Sequence, residues 1–133
     1  MINTNKVWVN GTFDVLHLGH IKLLNYASSL GSLRVGIDSD KRVKELKGSD
    51  RPFNCLDDRI EMLLSLKSVN DVKSFNDRNE MIELIKDWKP DYMVIGSDYI
   101  NETIYGSEYV KKIIFFDRIE KYSTTKILTY YNK

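Results

Sequence analysis

The chain has 133 residues, 42% hydrophobic and 29% charged, and its 20 basic and 19 acidic side chains leave a net charge of +1. That length fits one domain over 1–133, and the near-neutral balance excludes a global field that recruits nucleic acid, so any anion-binding cluster must be local. One cysteine, Cys55, excludes an internal disulfide and a cysteine metal cage, and no apolar run reaches the roughly 20 residues that span a bilayer, so a cytoplasmic protein without a membrane partner is expected.

"KVWVN" (6–10) is a β-branched and aromatic run ending at Gly11, and it reads as a first strand. After it Ile21, Leu24, Ala27 and Leu30 recur at helical spacing, and Gly31 is a natural stop. "LRVGID" (33–38) reads as a second strand. The polar stretch "SDKRVKELKGSDRPFN" is broken by Gly48 and Pro52 into a short helix and a loop. Asn54 with Asp57 resembles a capping box, opening a helix with Leu56, Ile60, Leu63 and Leu64 on one face. "DVKSF" (71–75) is a third strand, and "EMIELIKDW" (80–88) an amphipathic helix that stops before Pro90. "DYMVIG" (91–96) is a fourth strand, "SEYVKK" (107–112) a short helix and "IIFF" (113–116) a fifth strand. Ser123 then caps a last helix bearing Ile127, Leu128 and Tyr131.

Strands alternating with helices predict an α/β, Rossmann-like, doubly wound sheet of about five parallel strands with helices on both faces. In such folds ligands bind beyond the carboxyl ends of the strands, near the point where strand order reverses. The turns that matter are then 10–20, 38–54, 96–106 and 117–125.

The first of these turns holds both histidines of the chain, His17 and His20, three residues apart behind Gly11, Thr12 and Phe13. A glycine lets the backbone approach a ligand, and the helix that follows offers free N–H groups and the positive end of its dipole. By itself "HLGH" admits an anion site, a metal site or a pair without function. A zinc site lacks a cysteine or a third histidine. The second turn carries Lys44, Lys47 and Arg51, with Arg59 in the next helix; such cations are either a solvated face or an anion site. In the last turn Ser123, Thr124 and Thr125 put three hydroxyls at a helix start, where Ser123 alone would be an N-cap. All three sets follow strands, so one sheet edge would gather them into one cleft.

With those residues in view, "GTFDVLHLGH" resembles the HxGH signature of the nucleotidyltransferase superfamily of cytidylyltransferases, adenylyltransferases and class I aminoacyl-tRNA synthetases. "RIEKYSTTKI" (118–127) is similar to the second motif of glycerol-3-phosphate cytidylyltransferase, as is "HIKLL" after the first. The middle of the chain, "SDKRVKELKGSDRPFN", "DRIEMLLSL", "PDYMVIGSDY" and "GSEYV", resembles the adenylyltransferase domain of the bifunctional heptose enzyme. Two departures stand out: Lys121 where the family usually has glycine two residues before the serine, and Gly96-Ser97-Asp98-Tyr99 where the heptose enzymes read GGDY. Both bear on the nucleotide more than on the reaction type.

The resemblance implies transfer of a nucleotidyl group from an NTP to a small phosphorylated sugar or polyol, with release of pyrophosphate. ATP with a heptose 1-phosphate is the expected pair. CTP with glycerol 3-phosphate or a similar alcohol phosphate is the alternative, and a non-catalytic nucleotide-binding module a second one. It further implies that His17 and His20 stabilise the transition state through the phosphates. Lys47 would reach the α-phosphate or the acceptor, and Arg118, Ser123, Thr124 and Thr125 would hold the β- and γ-phosphates. Gly11, Thr12 and Phe13 would supply backbone contacts, and Gly96 and Asp98 would lie near base and ribose. Asp14, Lys47, Arg51 and Arg59 would bind the acceptor. Mg²⁺ would arrive on the phosphates, with Asp14 as a candidate helper. A homodimer is the common state of small members.

Overall fold

The computed structural model describes residues 4–117 and Leu128. Five parallel strands, β1 (Lys6–Gly11), β2 (Ser32–Asp38), β3 (Asp71–Phe75), β4 (Tyr92–Gly96) and β5 (Lys112–Phe116), form one sheet in the order β3-β2-β1-β4-β5. The helices are α1 (Leu18–Leu30), α2 (Asp40–Lys47), α3 (Leu56–Leu64) and α4 (Arg78–Trp88). The expected Rossmann-like sheet is therefore present, and the order reverses between β1 and β4.

Alternation along the strands divides the core. Val7 and Val9 of β1 point to one face, with Leu33, Val35 and Ile37 of β2, Leu24 and Ala27 of α1 and Leu63 of α3. Trp8 points to the other, with Phe75, Met93 and the α4 residues Met81 and Ile85. Both faces are buried by helices, which is why the strands read as near-continuous apolar runs.

The seam at the reversal is short. β1 pairs with β2 along Lys6–Gly11, but with β4 only at Val7↔Tyr92 and Trp8↔Met93. Val9, Asn10 and Gly11 thus have no β4 partner, and the two strands end on either side of an open crevice.

Three expectations change. Cys55, not Asn54, is the N-cap of α3, because Asn54 is held by another element. The inward side of α3 runs through Leu56, Arg59, Ile60 and Leu63, so Leu64 is 51% exposed. The segment 107–112 forms only one 3-10 turn, Ser107–Tyr109, with Val110 already extended; a three-residue turn cannot recover the cost of nucleating a helix. The helix expected after Ser123 lies outside the described residues, Leu128 apart.

Candidate active site

A cleft of about 630 Å³ opens at the carboxyl ends of the strands, where β1 and β4 part. Its floor is the β1–α1 turn. Gly11 leaves room for the Phe13 ring, which lies 3.0 Å from where a glycine-replacing Cβ would sit. Phe13 itself is buried at φ +49°, a left-handed conformation that costs a non-glycine residue about 1–3 kcal/mol and is held by its surroundings. Its ring lies 5.1 Å from the ring of His20 and so backs that side chain.

His17 is the N-cap of α1 and His20 lies in its first turn. The two imidazoles stack at 3.8 Å between centroids. The His17 backbone N–H donates to Nδ1 of His20 at 3.2 Å. That nitrogen therefore carries no proton, and the proton of the neutral ring is on Nε2, a donor. Gly19 also lines the cleft, so the first-turn amides and the positive end of α1 border the same space. Stacked rings, amides and dipole form a site for negatively charged oxygen.

The second wall is built around two buried carboxylates. Asp14 is 1% exposed and accepts from the Phe53 and Asn54 amides, both at 2.8 Å, and from Arg51 Nε at 2.9 Å. The Asn54 side chain donates back to the Asp14 carbonyl. Burial pushes the Asp14 carboxyl up, but the Asn54 and Phe53 amides and the Arg51 guanidinium outweigh it and hold the group below the usual carboxylate range. Asp14 lines the cleft, where its oxygens clamp the RPFN loop to the β1 turn. Asp38 does the parallel task for α2, accepting from Thr12 Oγ1 at 3.0 Å and from Arg42 Nε at 2.8 Å.

Arg59 departs from its expected place. Expected at the acceptor's phosphate, its side chain is fully buried and donates to the carbonyls of Asn54, Thr12 and Asp38 and to the Asp40 carboxylate. It ties β1, β2, α2 and the loop before α3 together from behind and does not line the cleft.

What reaches the cleft from this wall is cationic. Lys47 lines it from the end of α2 and makes no ion pair among the described residues. Arg51 lines it too, and its Nη2 is buried with no hydrogen-bond partner among the described residues. Gly96 and Asp98 line the opposite side, after β4. The structure thus brings together Gly11, Thr12, Phe13, Asp14, His17, His20, Lys47, Arg51, Gly96 and Asp98. Arg118, Ser123, Thr124 and Thr125, with Lys121, lie outside the described residues. Asp38, Arg42, Arg78 and Tyr105 also line the cleft and were not singled out from the sequence. Asp38 and Arg42 fall in a turn that the sequence marks. Arg78 follows β3, in a turn that the same rule covers.

The chain is similar to known proteins over most of its length. The model of the cytidylyltransferase-like family matches residues 8–129. The chain is 46% identical over 123 residues to the bifunctional protein HldE of Helicobacter hepaticus, which covers 92% of this chain, and 45% identical over the same length to that of Campylobacter fetus. It spans only about a quarter of those relatives, 25% and 27% of their lengths. Among solved structures it is similar to a lipopolysaccharide core biosynthesis protein from Thermoplasma volcanium, with TM-score 0.69 and 25% identity, covering 85% of this chain and 97% of that one. A protein of unknown function from Archaeoglobus fulgidus shares the fold, with TM-score 0.65 and 22% identity, covering 89% of this chain and 93% of that one.

Proposed function

Since the chain belongs to the cytidylyltransferase-like family of nucleotidyltransferases, we propose that it transfers an adenylyl group from ATP to a sugar 1-phosphate, a heptose phosphate by its motifs, for surface polysaccharide synthesis. An oxygen of the acceptor's phosphate attacks the α-phosphorus, the bond from that phosphorus to the β-phosphate oxygen breaks, and pyrophosphate leaves. The nucleophile is already anionic, so the site needs no strong base. It needs positioning and donors where negative charge grows.

One observation carries this reading. The two carboxylates in the wall built by the β1 and β2 turns, Asp14 and Asp38, are both engaged by N–H or O–H donors, whereas His17, His20, Lys47 and Arg51 line the same cleft with nitrogen-bearing side chains. A wall with its carboxylates occupied and cationic side chains along the cleft suits a polyphosphate. Arg118 and the Ser123–Thr125 hydroxyls belong to the proposal through the second motif. Magnesium does too: with Asp14 and Asp38 occupied, its ligands would come from the phosphates that bring it, and it would neutralise their charge. The KGSDRPFN loop, anchored by Asp14, resembles a loop of the heptose enzymes and supports a sugar acceptor.

The test is pyrophosphate release with ATP and CTP, each against sugar 1-phosphates and glycerol 3-phosphate. Release with ATP and a heptose 1-phosphate is expected. Release confined to CTP with glycerol 3-phosphate would replace both substrates, and no release with any pair would leave a nucleotide-binding module.

A further inference from the structure

The β4–β5 connection does not run straight to β5. It folds back over α4: Ile104 and Val110 pack on the cluster of Met81 and Ile85. Gly106 is left-handed at φ +87°, and a Cβ there would sit 2.7 Å from Ile85 Cδ1, so only glycine lets the loop seat this closely. This brings Tyr105 under Arg78, the first residue of α4, with the guanidinium carbon 3.8 Å above the ring centroid. Both residues line the cleft. Arg78 makes no ion pair among the described residues, in contrast to Arg42, which is paired with Asp38.

Position gives the pair its meaning. The cleft's cationic groups step outward in strand order: the histidines after β1, Lys47 and Arg51 after β2, Arg78 after β3. Adjacent strands are about 4.8 Å apart, so the carboxyl end of β3 lies two strand spacings, about 10 Å, from that of β1. That is the scale of a phosphorylated sugar. A guanidinium held over a ring by its carbon can still offer N–H groups to two neighbouring oxygens. Resting on the acceptor reading above, we infer that Arg78, held by Tyr105, is a specificity residue that binds two vicinal hydroxyls of the acceptor sugar, remote from its reacting phosphate.

Steady-state kinetics of the full chain with Arg78→Ala, Arg78→Lys and Tyr105→Ala test this. With a sugar 1-phosphate, the acceptor KM should rise about tenfold or more in each variant, while kcat and the nucleotide KM hold. With a sugar phosphate lacking the remote hydroxyls, wild type and variants should coincide. An unchanged acceptor KM in Arg78→Ala would overturn the inference. So would equal rises in acceptor and nucleotide KM, which mark a structural role. Wild-type behaviour in Arg78→Lys would also overturn it, since charge alone would then suffice and the bound group would be a second anion. Titration calorimetry of the sugar 1-phosphate alone, with Arg78→Ala binding about tenfold more weakly, gives a readout apart from turnover. If wild type rejects sugar 1-phosphates altogether, the acceptor reading fails, and the same KM comparison on whichever acceptor does release pyrophosphate decides for Arg78.

Discussion

The turn after β1 and the loop before α3 are both dense in polar residues, yet they use them in opposite ways. Around His17 and His20, polar groups line an open cleft. Around Asp14, Asn54 and Arg59, almost every donor and acceptor closes on the protein itself. The second region is what holds the first still: Arg59 holds the Thr12 carbonyl and Asp14 adjoins Phe13, whose ring backs His20. A ligand site of this kind needs both, since donors left free to reorganise stabilise developing charge poorly.

The contrast breaks first at Arg59. Truncation to Ala removes a buried charge that serves three carbonyls and a carboxylate, and should lower stability by about 3–5 kcal/mol in denaturant unfolding. A loss under about 1 kcal/mol would show that the network is not closed. Next come His17→Ala and His20→Ala, which should each cut turnover about 10²–10³-fold, or about 2.7–4 kcal/mol of barrier, with the unfolding midpoint nearly unchanged. Near-normal turnover in both would remove the histidines from the reaction. The smallest effect is at Asp14→Asn, about 1.5–3 kcal/mol at neutral pH. Because its folded pKa is depressed, Asp14 stabilises fully above the unfolded value of about 3.9, and that contribution fades as pH falls below it toward the folded one. Wild type and Asp14→Asn should therefore converge in acid-unfolding curves at low pH; a gap that stays constant from neutral pH down would rule out the ionised carboxylate as its source.

The sheet was legible in the sequence because buried parallel strands advertise themselves as β-branched and aromatic runs bounded by Gly or Pro, and β3 falls on 71–75 as read. The histidine turn was legible because its position after the first strand constrains where it lies. The direction of Arg59 was not. A cation in a helix reads as solvated or ligand-bound, and only the packing of α3 against the turns after β1 and β2 turns it inward. Asn54 misled for a related reason: its side chain suits a cap, but Asp14, distant in sequence, claims it. Tyr105 and Arg78 lie on segments 27 residues apart, and nothing local announces that a left-handed glycine will fold one onto the other.

The two-pair seam between β1 and β4 has a consequence for how such a chain can diverge. The flank with Lys47 and Arg51 hangs on β2, and the flank with Gly96 and Asp98 hangs on β4. They face each other across the crevice but share little backbone. Each can drift, accept insertions or change its residues without forcing a shift of register in the other. The fold is in that sense modular at its cleft, with two independently editable sides around a constant histidine floor.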